Sequence, residues 1–101
     1  MRQGSKPWDE FLLNKLAKSE EFSIEYLNAC LEENDPALLL KALRQVAEAR
    51  GGLGDLAKKT GLNRESLYRM LSENGNPTIY SLNEVLDALG LQLQFAPKKA
   101  A

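Results

Sequence analysis

The stretch LAKKTGLNRESLYRML, Leu56 to Leu71, decides the fold of this 101-residue chain. Apolar residues recur at helical spacing on both sides of the tripeptide at 60–62. Ala57 is small enough for a close helix crossing, Gly61 suits a turn with positive φ, and Leu67 would fill the angle between the helices. The stretch therefore predicts a helix-turn-helix. The alternative is a plain αα-hairpin inside a bundle.

Periodicity predicts more helices around this pair. After a short amphipathic piece of one or two turns near the N-terminus, helices are expected over residues 20–33, 36–50, 53–59, 63–72 and 78–89. Asn34 would end the first of them, Asp35 and Pro36 would start the second, and Asn63 would cap the second helix of the pair.

After Gly90 the apolar period changes from 3.6 to 2. LQLQFA, residues 91–96, therefore predicts a short strand. Its backbone groups would be satisfied by water, by the N-terminal segment, or by the same strand of a second subunit. The expected fold class is all-α, a bundle of about five helices with an N-terminal helical extension and a short C-terminal β-strand.

Composition indicates one domain in three segments: an arm and helix at 1–34, a helix-turn-helix domain with the strand at 35–96, and a tail at 97–101. No apolar run exceeds four residues and the N-terminus lacks a signal region, so we expect a cytoplasmic protein with no membrane partner. Cys30 is the single cysteine and there is no histidine. We therefore expect no metal, no cofactor and no enzymatic activity.

The net charge of −1 is unevenly distributed. Residues 1–36 carry four basic and eight acidic side chains, whereas residues 37–101 carry nine basic and six acidic ones. The basic side chains concentrate between Arg50 and Arg69. This asymmetry suggests two surfaces for two different partners, although charges on a small helical protein are also often merely solvated.

The polar first turn of the second helix suits the major groove of double-stranded DNA, where Arg64 would contact guanine and neighbouring polar side chains other base edges. Phosphate contacts would come from the lysines, Thr60, Tyr68, the loop that follows and free backbone N–H groups. The candidate DNA-binding residues are Gly54, Lys58, Lys59, Thr60, Asn63, Arg64, Glu65, Ser66, Tyr68, Arg69, Asn74 and Asn76.

The segments LAKKTGLNRESLYRM, NP at 76–77 and LNEVLDALGL at 82–91 resemble the Cro/repressor (Xre-type) helix-turn-helix family. With PWD at 7–9, the segment at 20–52 and ALGLQLQFAP at 88–97, nearly the whole chain is similar to the HigA-like addiction-module antidote proteins. The resemblance implies a homodimeric antitoxin that binds operator DNA and autorepresses its operon. It also implies direct neutralisation of a RelE/HigB-like ribonuclease toxin, a cognate partner whose basic character the acidic N-terminal third would complement.

Two residues depart from the family pattern. Where the family usually places Ser or Thr and then Gln near a phosphate, this chain has Gly54 and Asp55, and Asp55 would repel a phosphate. Trp8, Phe11 and Tyr26 are expected to be exposed and to contact the toxin; in the alternative, Trp8 and Phe11 cover the wide apolar face of the helix at 20–33. Two other functions remain open: a stand-alone Xre-type repressor without a toxin, and a helical protein-interaction module without DNA binding.

Overall fold

The computed structural model describes residues 7–98. The beginning of the expected arm, residues 1–6, and the end of the expected tail, residues 99–101, lie outside this range. The described chain is all-helical, in the order α1 (Pro7–Lys18), α2 (Glu20–Glu32), α3 (Pro36–Ala49), α4 (Gly52–Thr60), α5 (Arg64–Met70) and α6 (Ile79–Ala88).

Side-chain caps start most of these helices. Ser19 Oγ accepts a hydrogen bond from the N–H of Phe22 at 3.0 Å and opens α2. Asp35 caps α3 with Pro36 in the first helical position, as the sequence predicts. Asn34 follows the C-cap residue Glu33 of α2 and adopts a left-handed conformation with φ of 60°, which agrees with the predicted end of this helix.

The first helix is longer than the sequence predicts. α1 spans twelve residues instead of one or two turns. Its Leu12 and Leu16 are buried, and the helix packs against α2 and α3. Packing of an apolar face contributes most of the stability of helices in proteins, which explains why local pattern alone underestimated its length.

One core runs through all six helices. α3 lies at its centre, with α1, α2 and α4 packed against it. The largest fully buried apolar side chains are Leu16, Leu43, Leu67, Leu71, Val46 and Val85. The N-terminal extension and the segment from residue 35 onward therefore share a single core.

Arg50, which follows α3, holds the junction between α1 and α2. Its Nη2 donates to Ser23 Oγ at 3.0 Å and its Nε donates to the carbonyl oxygen of Leu16 at 3.3 Å. The Ser23 hydroxyl is buried and lies 3.0 Å from the carbonyl oxygens of both Leu16 and Ser19. The cation thus links the N-terminal helices to the point where α3 leads into α4.

The expected C-terminal strand does not form within the described chain. Residues 91–98 have no regular secondary structure, and Leu93 and Phe95 are exposed. Alternation with period 2 supplies the side-chain pattern of a strand, but a strand also needs a neighbouring backbone to pair with. No other strand exists between residues 7 and 98.

Candidate nucleic-acid interface

A tight turn fixes α5 against α4. Gly61 has φ of 76°, a left-handed conformation that glycine adopts without steric cost, and its N–H donates to the carbonyl of Ala57 at 2.8 Å. The hydroxyl of Thr60 donates to the carbonyl of Leu56 at 2.8 Å and accepts from the N–H of Leu62 at 3.1 Å. The orientation of α5 is therefore set by backbone and turn hydrogen bonds as well as by the core.

The first turn of α5 is polar, capped and open to solvent. Asn63 Oδ1 accepts from the N–H of Glu65 at 2.8 Å and from that of Ser66 at 3.3 Å, which confirms the predicted cap. Arg64 and Glu65 are exposed, whereas Leu67 on the opposite side is completely buried. The cap occupies only the oxygen of Asn63, so its Nδ2 group still faces solvent as a donor.

The guanidinium of Arg64 lies beside α4. A Cβ placed on Gly54 would be 3.9 Å from Arg64 Nη1, ordinary van der Waals contact. Among residues 7–98, Arg64 forms no ion pair or hydrogen bond through its side chain. Its five donors are therefore available to an external acceptor.

The two lysines in the last turn of α4 are not equivalent. Lys59 Nζ lies 3.1 Å from Asp55 Oδ2, one helical turn earlier, and both side chains remain about half exposed. Lys58 is exposed and has no ion pair within the described part of the chain. The four-residue spacing of Asp55 and Lys59 places them on one face of a helix and is the sequence signal that indicates this pair.

The outer side of α5 meets α3 through Tyr68. The guanidinium carbon of Arg44 lies 5.8 Å from the centre of the Tyr68 ring, a cation–π arrangement, and the ring is still 45% exposed. Arg69 is exposed on the following position. Arg44 therefore adds a positive charge to this surface. Its contact with Tyr68 could not be predicted from sequence spacing, because the two residues lie far apart in the chain.

The loop after α5 turns back closely on the helix. A Cβ at Gly75 would lie 2.0 Å from the carbonyl oxygen of Met70, so only glycine fits there. The N–H of Gly75 donates to the carbonyl of Ser72 at 2.9 Å. Asn74 and Asn76, on either side, are exposed next to the end of α5. The loop thus holds two amide side chains beside the exposed face of the helix.

Metal-ligating side chains do not cluster among the described residues. These residues contain no group of three or more His, Cys, Asp or Glu side chains that could hold a metal ion. Cys30 is buried, and burial, followed by the charge of Glu33, raises the pKa of its thiol, with Lys41 acting in the opposite direction. None of the helices described is long and apolar enough to cross a membrane.

The structure thus defines a small all-helical protein with a polar, partly basic helix pair on one surface and an acidic pair of N-terminal helices. Residues 8–97 match the family described as "Probable addiction module antidote protein", and the chain belongs to that family. The antidote function expected from the sequence resemblance is confirmed at this level.

A protein of Haemophilus influenzae (strain ATCC 51907 / DSM 11121 / KW20 / Rd) is 40% identical to this chain over 86 residues. The alignment covers 85% of this chain and 87% of the relative, which is described as an uncharacterized protein. No solved structure matches the chain.

Proposed function

We propose that this antidote protein is a DNA-binding antitoxin of the Xre-type, HigA-like kind, which represses its own operon and neutralises a RelE/HigB-like ribonuclease toxin. The observation that carries the DNA-binding part is the first turn of α5. It is capped by Asn63, exposed, and held against α4 by the turn at Gly61. A reading helix needs this combination, because its N-terminal side chains must enter the major groove while the helix itself stays fixed.

In this arrangement Arg64 is the principal base-reading side chain. A bidentate contact from arginine to guanine discriminates against other bases by about 1–3 kcal/mol. Asn63, Glu65 and Ser66 occupy the same first turn and complete the surface that would face base edges. These contacts would supply sequence preference.

Phosphate contacts would surround this turn. Lys58 is free to reach a phosphate, while Lys59 must first leave Asp55. The exposed side of α5 and its loop carries further candidates: Tyr68, Arg69, Asn74 and Asn76. Gly54 offers a backbone N–H. The hydroxyl of Thr60, in contrast, already makes hydrogen bonds within the turn. These contacts would supply affinity without sequence preference.

A homodimer would place two copies of α5 about 34 Å apart, one turn of DNA. Residues 91–96, which pair with no strand within the described chain, and the exposed side chains Ile79 and Tyr80 of α6 offer surfaces for that association. Pairing of LQLQF with the same segment of a second copy would also satisfy its backbone groups.

Family membership supports a toxin as the second partner, since an antidote acts on a toxin. The alternative of a stand-alone repressor has no such support. The alternative of a protein-interaction module without DNA binding rests on the Asp55–Lys59 pair, which places a carboxylate next to the surface where phosphates would bind.

Two assays with the full chain test the proposal. A mobility-shift titration of the chain's own promoter at low salt should show binding, and Arg64→Ala should bind that promoter more weakly while retaining its affinity for unrelated duplexes. Co-expression with the product of the adjacent reading frame should restore growth, and Arg64→Ala should rescue as well as the wild type. Absence of any shift would refute DNA binding, and absence of rescue would refute the antitoxin assignment.

A further inference from the structure

Four of the seven aromatic side chains form a continuous line across α1 and α2. The rings of Trp8 and Phe11 are 5.9 Å apart, and Lys15 Nζ lies 5.8 Å from the centre of Phe11 and 5.2 Å from that of Phe22. Phe22 in turn stacks on Tyr26 at 6.3 Å. These five residues are called the aromatic stripe.

The aromatic stripe is only partly used by the fold. Trp8 is 62% exposed and Phe11 is 53% exposed, so neither acts mainly as a cover for α2. Phe22 and Tyr26 are half-buried against the core, and the Tyr26 hydroxyl donates to Gln45 Oε1 of α3 at 2.6 Å. The stripe is therefore anchored at one end and open to solvent at the other.

Charge around the aromatic stripe favours a cationic partner. Residues 7–36 contain two lysines and eight carboxylates, and Glu25 follows Phe22 by three residues on the same helix, which makes it a surface neighbour. Lys15 already lies over two ring faces, the position that an arginine or lysine of a partner would also seek. The same negative charge disfavours nucleic acid and anionic lipid surfaces.

We propose that the aromatic stripe is the surface on which the toxin docks, with basic side chains of the toxin stacking on Trp8 and Phe11 of a helix pair that carries six carboxylates and two lysines. This inference rests on the antitoxin function proposed above. Tryptophan and tyrosine are among the residues that carry most binding energy at interfaces, and charge complementarity speeds the encounter. α1 and α2 pack on each other and on α3, whereas α5 packs on α4.

The first test compares two double variants of the full chain in a binding titration with the product of the adjacent reading frame. Trp8→Ala/Phe11→Ala should weaken binding by at least ~30-fold, the loss expected when a hot-spot side chain is truncated. The matched control is Ile24→Ala/Leu31→Ala, which removes similarly exposed apolar side chains from the other side of α2. The control should bind as the wild type does.

The second test uses Trp8 as the chain's own reporter, since it is the only tryptophan. Toxin binding should shift the emission of Trp8 to shorter wavelength and protect its fluorescence from quenching by acrylamide. The signal of the complex formed by Trp8→Phe is subtracted first, so that only Trp8 is observed. This conservative variant should keep most of its affinity, because phenylalanine preserves an aromatic face.

The other outcomes overturn the inference in distinguishable ways. If Trp8→Ala/Phe11→Ala binds the toxin as tightly as the wild type, and if acrylamide quenching of Trp8 is the same with and without toxin, the toxin binds elsewhere. The antitoxin assignment would then remain. A stripe variant that binds the toxin but changes oligomeric state would assign the stripe to a second copy of this chain. Failure of the wild type to bind the protein or to restore growth would refute the proposed function itself.

Discussion

Replacing Asp55 with asparagine should strengthen DNA binding while it weakens the fold. Asp55 holds Lys59 at 3.1 Å on the surface where phosphates would lie. Asp55→Asn releases the lysine and removes a negative charge that would repel the backbone of bound DNA. The shape of the side chain is nearly unchanged, so the effect isolates charge.

The magnitude follows from the exposure of the pair. Ion pairs as exposed as this one contribute about 0.2–1 kcal/mol, so releasing Lys59 is expected to tighten binding by up to roughly fivefold. If the lysine then neutralises one more phosphate, the slope of log affinity against log salt should steepen by about 0.9. Asp55 also lies in the first turn of α4, where its charge favours the helix by about 0.3–1 kcal/mol, and the variant should lose that stability.

Fluorescence anisotropy measures the change in affinity and the change in salt slope. The titrations use the promoter duplex and an unrelated duplex at several salt concentrations. The gain should be the same on the two duplexes, because phosphate contacts carry no sequence information. Glu21→Gln on α2 is the matched control for net charge, since this helix packs chiefly against α1 and α3. An unchanged slope in Asp55→Asn, or an equal gain in Glu21→Gln, would show that the Asp55–Lys59 pair does not face DNA.

Three further predictions concern stability. Ser23→Ala removes the acceptor of Arg50 Nη2 and leaves the guanidinium only its bond to the carbonyl oxygen of Leu16, so it should lower the free energy of unfolding by about 1–2 kcal/mol in urea titrations; no loss would mean that water replaces the hydroxyl. Gly75→Ala should lower the free energy of unfolding by about 1–3 kcal/mol through overpacking, whereas Gly54→Ala, inside α4, should raise it by about 0.5–1 kcal/mol. Similar effects of the two substitutions would contradict the close approach at residue 75. Burial raises the pKa of the Cys30 thiol, so stability should be constant below the ordinary cysteine pKa of about 8.5 and fall as the pH rises through it; Cys30→Ala should remove that part of the slope.

Much of the helical fold was predictable because its signals are local. Asp35, Pro36 and Asn63 specify helix starts by capping chemistry, and the left-handed Gly61 specifies the turn. The apolar spacing around Leu67 and Leu71 likewise identified side chains that are completely buried. Each of these features depends on residues within a few positions of one another.

The remaining features depend on contacts between distant segments. The length of α1 follows from burial of Leu12 and Leu16 against other helices. No local sequence pattern predicts a partner for Arg50 or Arg44, yet the first reaches the α1–α2 junction and the second reaches Tyr68. A strand at 91–96 was expected from pattern alone, and within residues 7–98 that segment has no neighbouring strand to pair with.

The most direct test of DNA recognition by α5 is the ratio of affinities for the chain's own promoter and for an unrelated duplex, measured at one salt concentration. Specific binding should give a ratio of at least ~10³. Arg64→Ala should reduce this ratio by about 5- to 150-fold, the loss expected when a bidentate base contact is removed. A wild-type ratio near one, or an equal loss of affinity by Arg64→Ala on both duplexes, would contradict the assignment of α5 as the reading helix.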